Sequence, residues 1–113
     1  VKHWVADGGT SYGTGTTAFG WTGAPTHILD QGDAVLGEEE LRTRHIAAYL
    51  PALQEGALTV MASYSSWNGG KVHVSSYLLT KVLKEELGFK GMVVSDYNAV
   101  QQCAKSYRDA VVA

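Results

Sequence analysis

Three short stretches of the 113-residue chain carry side chains that could act together on one molecule: Asp96 with Tyr97, Lys2 with His3, and the lone Tyr64. Asp96 offers a carboxylate for nucleophilic or acid–base work, and Tyr97 adds a ring directly beside it. An acid next to an aromatic suits a substrate with polar edges and a flat face. Asp96 follows the apolar run Met92-Val93-Val94-Ser95, which Gly91 precedes. Such a run reads as a buried strand of a parallel sheet. Side chains at the carboxyl ends of such strands gather where barrels and open α/β folds do their chemistry. The plainer reading is an Asp that caps the next helix. Lys2 and His3 open an apolar segment, Val1-Lys2-His3-Trp4-Val5-Ala6, where an unpaired buried charge would be costly. Either polar partners at a site hold them, or this is an exposed strand start.

The elements that must position these groups follow in order. Asp7-Gly8-Gly9-Thr10 breaks the first strand. From Asp7 to Gly37 no periodicity is sustained, and the stretch is rich in Gly, Thr and Ser. Loops of this length are usually functional. Tyr12, Phe19 and Trp21 could stack on a ligand or pin the loop to the body. The glycines form no phosphate-cradling motif, and His27, Asp30 and Asp33 match no metal-ligand spacing. Neither a metal nor any cofactor is expected. Glu38-Glu39-Glu40 opens a helix with acid in its first turn. Its apolar stripe runs through Leu41, His45, Ala48, Tyr49, Ala52 and Leu53, with His45 expected as a satisfied core residue. Pro51 should kink this helix or open a second one near residue 48, and Gly56 ends it. A second strand, Ala57 to Ser63, runs into Tyr64 and a turn-rich loop. Ser75 or Ser76 caps an amphipathic helix with Leu78, Leu79, Val82, Leu83 and Leu87 on one face, ended by Gly88. A further helix is expected from Ala99.

The alternation of strands and helices means crossover units and a parallel sheet. The three strands then point their carboxyl ends the same way, and Lys2, His3, Tyr64 and Asp96 converge on one rim. Three strands cannot close a barrel, so residues 1–113 are expected to be a piece of a larger domain. Composition bounds the rest. Hydrophobic residues make up 45% and charged residues 18%, which describes a globular chain. A net charge of −2 argues against nucleic acid or an anionic membrane as the main partner. The single Cys103 excludes an internal disulfide. Thirteen Gly and 11 aromatic residues suit loops lining a carbohydrate site.

Three segments carry a resemblance to glycoside hydrolase family 3. Lys2-His3-Trp4-Val5-Ala6-Asp7-Gly8-Gly9-Thr10 resembles the family's Lys-His-aromatic segment. Thr59 through Gly69 resembles its second signature, and Gly88 through Tyr97 resembles the segment that carries the nucleophile. Asp30-Gln31-Gly32-Asp33, ahead of the Glu-rich helix, is most similar to the exo-acting β-glucosidases and β-glucan exohydrolases. The resemblance implies the middle-to-late part of a (β/α)8 TIM-type barrel and retaining hydrolysis of terminal β-linked glucose from a β-glucoside or β-glucan oligosaccharide. It implies Asp96 as nucleophile, with Lys2 and His3 hydrogen-bonding sugar hydroxyls and Tyr64 beside the nucleophile. Tyr97 stands where the family commonly has Trp, leaving the outer subsite open. The acid/base would come from a second domain of the full-length chain. Asp7, Asp30 and Glu55 do not fit that role, and the isolated piece should be nearly inactive. Secretion or a periplasmic location is suggested by the resemblance only. The alternatives are the family's β-N-acetylhexosaminidase branch, whose Asp-Ser-His triplet is not found between Asp7 and Gly37, a non-catalytic carbohydrate-binding barrel piece, and an unrelated parallel α/β domain.

Overall fold

The computed structural model describes residues 1–15 and 29–104. Phe19, Trp21 and His27, and the stretch from residue 105 onward, lie outside the described residues. The chain folds as a small α/β unit around two sheets. In the first, β2 (Thr59–Met61) pairs in parallel with β5 (Met92–Val94), in the register Thr59 to Met92, Val60 to Val93 and Met61 to Val94. The opening segment lies along the other edge of β2. Its Trp4 bridges Ala62 in parallel, the Trp4 N–H donates to the Met61 carbonyl at 2.8 Å, and the Met61 N–H donates to that of Val1 at 2.9 Å. The three expected strands therefore lie side by side with one polarity, the first of them through a single bridge and its flanking hydrogen bonds.

The second sheet is one that periodicity did not reveal. β1 (Asp33–Ala34) pairs in parallel with β3 (Ser66–Trp67), and β3 turns back antiparallel into β4 (Gly70–Lys71). Asn68 and Gly69 make the turn with φ of 47° and 84°, the left-handed conformation that favours Asn and Gly. Trp67 ties the patch down by donating its indole N–H to the Leu36 carbonyl at 2.9 Å. β1 thus gives the end of the 7–37 stretch a place in a sheet. In its Asp30-Gln31-Gly32-Asp33 turn, a Cβ on Gly32 would stand 2.8 Å from Thr14 Oγ1 and 2.9 Å from the Leu29 carbonyl. Only glycine fits there without displacing its neighbours.

The helical run over 38–54, α1, changes pitch along its length. It begins with an α turn over Glu38–Glu40, widens into π-type turns over Leu41–Ile46, tightens to a 3-10 turn over Ala47–Tyr49 and resumes as an α turn over Leu50–Gln54. Pro51 sits in the opening turn of the last piece, where its missing N–H does no harm. The second helix, α2 (Tyr77–Glu86), is wide throughout. The Leu87 N–H, for example, donates to the Val82 carbonyl at 2.9 Å. Helices closed by bonds five residues back place i, i+4, i+5 and i+9 together. Leu78, Val82, Leu83 and Leu87 have that spacing, and the first three are buried while Leu87 packs against them. Ser75, rather than Ser76, caps α2, its hydroxyl accepting the Leu78 N–H at 3.2 Å. Gly88 closes it with φ 69°.

The core lies between these helices and the parallel strands. Trp4 and Val60 are fully buried with Leu41, Val72, Val82 and Leu83. Burying an aliphatic side chain of this size is worth about 1.5–3 kcal/mol. Trp4 meets the Tyr49 ring edge-on at 5.0 Å and satisfies its indole N–H on the Leu78 carbonyl at 3.2 Å. One residue thus couples the first strand to both helices. Beyond Tyr97, Ala99–Gln102 forms a 3-10 turn, and the longer helix expected from Ala99 would reach past residue 104, outside the described residues.

Candidate active site

The parallel pairing carries the carboxyl ends of all three strands to one side, where the polar side chains collect. His3 leaves the first strand between two carboxylates. Its Nε2 is 3.6 Å from Asp96 Oδ2, and its Nδ1 is 3.3 Å from Asp7 Oδ2. Asp7 reaches back because the chain makes a tight turn over Asp7–Gly9, entered at Ala6 with φ 68°. The His3 backbone is fixed as well, its carbonyl accepting the Tyr49 hydroxyl at 2.5 Å. Burial, with help from the Asp7 charge, pushes the Tyr49 phenol up to about 12, so it remains a hydrogen-bond donor across the neutral range.

Asp96 is divided between two tasks. Oδ1 accepts the Tyr97 N–H at 2.6 Å, and the Asp96 carbonyl accepts the Ala99 N–H at 3.1 Å. These bonds close a turn and do not cap the following helical turn, whose N-cap is Asn98 with no side-chain bond, so the capping expectation does not hold; the other oxygen is turned toward His3. About a quarter of the Asp96 side chain is exposed, which leaves it reachable from solvent. Tyr97 stands outward, 70% exposed.

Tyr64 emerges from the end of the β2 segment into a closer environment. Its hydroxyl accepts the Gln102 amide at 3.1 Å. Burial raises its pKa, with Asp96 and then Asp30 adding to the effect, so the phenol lies within electrostatic reach of both carboxylates. Lys71 donates to the Tyr64 carbonyl at 3.0 Å and places its ammonium 5.5 Å from the centre of the Tyr64 ring. The ring of His73 lies 5.7 Å from that of Tyr64. Burial lowers the pKa of Lys71, opposed by Asp30.

The structure thus joins His3 to Asp96 directly and brings Tyr64 into their field. Lys2 does not contact Asp96 within the described geometry. It lies with His3 on a cavity of about 230 Å³ that Asp7, Arg44, His45 and Tyr49 also line. His45, expected in the core, is half-buried and fills the space above Gly9, where a Cβ would stand 2.7 Å from its ring. Sequence reasoning missed Lys71, His73 and Gln102 altogether, and it weighed Asp7 only as an acid, not as a partner for His3. The i, i+4 spacing of His3 and Asp7 was a usable signal for the last. Lys71 and His73 could have been suspected as two titratable groups flanking Val72 just after a Gly-Gly turn.

Comparison with known proteins gives this arrangement a context. The whole chain, residues 1–113, matches the family model described as the glycosyl hydrolase family 3 N terminal domain. The chain belongs to glycosyl hydrolase family 3. Among solved structures, an exo-1,3/1,4-β-glucanase from a Pseudoalteromonas species superposes with a TM-score of 0.73 at 44% identity, over 88% of this chain and 11% of that one. A β-glucosidase from Listeria innocua, solved in complex with glucose, superposes with a TM-score of 0.73 at 25% identity, over 100% of this chain and 13% of that one. A probable β-glucosidase A from Aspergillus niger is 37% identical over 73 residues, 65% of this chain and 8% of the relative. The chain therefore spans roughly a tenth of the length of the relatives it matches.

Proposed function

We propose that residues 1–113 belong to the catalytic barrel of a retaining, exo-acting β-glucosidase and carry its nucleophile, Asp96. The observation that carries this reading is the His3 imidazole 3.6 Å from the Asp96 carboxylate. Residues far apart in sequence meet there at the carboxyl ends of parallel strands, where a (β/α)8 barrel holds its substrate. Membership of the family, and relatives described as β-glucosidases and an exo-β-glucanase, favour the same class.

The chemistry follows from the groups at the rim. Asp96 Oδ2 attacks the anomeric carbon, and the bond to the leaving oxygen breaks as a second carboxyl group protonates it. Water then hydrolyses the glycosyl-enzyme ester. Retaining enzymes hold the two carboxyl groups about 5–5.5 Å apart. The acid/base belongs to a second domain of the full-length chain. The His3 imidazole stands 3.6 Å from the Asp96 carboxylate and holds that side of it. Lys2 and His3 bind hydroxyls of the terminal glucose, and such contacts accelerate the reaction when they tighten in the transition state. The outward ring of Tyr97 offers a face to the next sugar. Terminal β-linked glucose is the proposed substrate unit; among the matching solved structures, the Listeria innocua β-glucosidase is solved with glucose and, as a mutant, with laminaribiose.

The test is a mechanism-based 2-deoxy-2-fluoroglucoside added to the full-length enzyme, followed by peptide mass spectrometry. A glucosyl adduct on the peptide holding Asp96 is expected. Turnover of an aryl β-glucoside with no adduct on that peptide removes Asp96 from the role, and absence of both leaves a carbohydrate-binding barrel without catalysis.

A further inference from the structure

His73 follows β4 in the short 3-10 turn Val72–Val74. Both of its ring nitrogens are buried, and among the described residues neither makes a well-formed hydrogen bond, the Ser63 backbone being close enough to act on the ring. A buried polar group without a partner costs about 1–3 kcal/mol, so a native structure that keeps one calls for an explanation. The ring packs at 5.7 Å and 57° against Tyr64, whose hydroxyl is held by Gln102 and whose carbonyl is held by Lys71. Tyr64 is only 9% exposed, and its phenol feels the Asp96 carboxylate. Gln102, Lys71 and His73 thus converge on one tyrosine, His73 by packing against its ring.

We infer that His73 is a positioning residue for the proposed glucosidase, its buried ring fixing the orientation of Tyr64 relative to Asp96. This rests on Asp96 being the nucleophile. The surroundings keep the ring neutral. Burial and then the Lys71 ammonium lower the His73 pKa, against an opposing pull from the Ser63 backbone and Asp96. Tyr64, Lys71 and Asp96 are the titratable groups that face it. The ring's packing on Tyr64 carries the role. A neutral ring of similar size should keep that packing.

The experiment compares wild type, His73→Ala, His73→Phe, Tyr64→Ala and the Tyr64→Ala/His73→Ala double variant of the full-length enzyme on an aryl β-glucoside. Labelling of Asp96 by the fluoroglucoside is followed in each, with melting temperature as the folding control. His73→Ala is expected to lower kcat about tenfold with little change in KM, as a small misalignment at a reacting centre does. His73→Phe should recover most of that loss. In the Tyr64→Ala background the His73→Ala change should cost little more, because residues that act through one another are not additive. A phenylalanine variant as slow as the alanine one, or a double variant whose losses multiply, overturns the inference while wild-type labelling of Asp96 stands. Failure of the wild type to be labelled instead overturns the nucleophile reading, and the inference with it.

Discussion

The two ends of the parallel sheet are built from the same strands and do opposite things. At the carboxyl ends, His3 lies within 4 Å of both Asp7 and Asp96, and the Tyr64 phenol feels the Asp96 charge. At the amino ends, Leu50, Leu53, Leu58, Leu87 and Phe89 line an apolar hollow of about 500 Å³. There Lys84 donates to the Gly91 carbonyl at 2.5 Å and sets its ammonium 5.1 Å from the Phe89 ring. Gly91 is wedged so that a Cβ would collide with the Leu58 carbonyl and the Phe89 ring. One end holds polar side chains whose replacement is expected to leave the chain folded. The other holds groups whose shape decides whether β5 can lie beside β2 at all.

That contrast can be broken by substitution in the full-length enzyme. The largest effect should come from Asp96→Asn, which keeps shape and removes the charge of the proposed nucleophile. Turnover should fall on the order of 10⁴-fold or more, with the melting temperature within a degree or two; a comparable loss of stability would make the rim structural. His3→Ala should slow turnover on the order of 10²-fold by releasing the imidazole from Asp96, again with little effect on melting. Gly91→Ala should do the reverse. Overpacking should cost about 1–3 kcal/mol, read by urea denaturation, while kcat of the folded fraction persists.

Two smaller effects sharpen the picture. Tyr49→Phe removes the hydrogen bond to the His3 carbonyl and should cost about 1 kcal/mol, with a modest fall in kcat because His3 then sits less firmly. The pH dependence of stability isolates His73. Its imidazole is held below its ordinary value when folded, so below about pH 6.5 the unfolded chain binds a proton that the folded chain resists. Stability should therefore decline as pH falls through that range. His73→Phe should flatten that part of the curve, and an unchanged curve would place the proton elsewhere.

Much of the architecture was legible because strands and helices differ in period. The runs at residues 59–61 and 92–94, the Pro51 break and the glycine stops at residues 56 and 88 all sit where apolar spacing and backbone preference put them. The sheet of β1, β3 and β4 was not legible. Strands of two residues have no period to detect, and their partners are chosen by Trp67 and Asn68 binding the Leu36 backbone. The wide turns of α2 were hidden for a related reason: an apolar stripe at positions 78, 82, 83 and 87 is compatible with two helix pitches. At the site, Asp96 was visible as a carboxylate ending a strand. That it faces a partner rather than caps a helix could not be chosen, because that partner, His3, comes from a different strand. His73 stayed hidden because its significance lies in burial against Tyr64, which no local pattern encodes.

The split carboxylate of Asp96 has a stereochemical consequence. With Oδ1 tethered to the amide of the following residue, the group cannot spin freely about its last bond. The two oxygens stop being interchangeable before any sugar arrives. In the reaction proposed above, Oδ2 would then be the oxygen that leads the approach to the sugar, from the one direction that this tether leaves it.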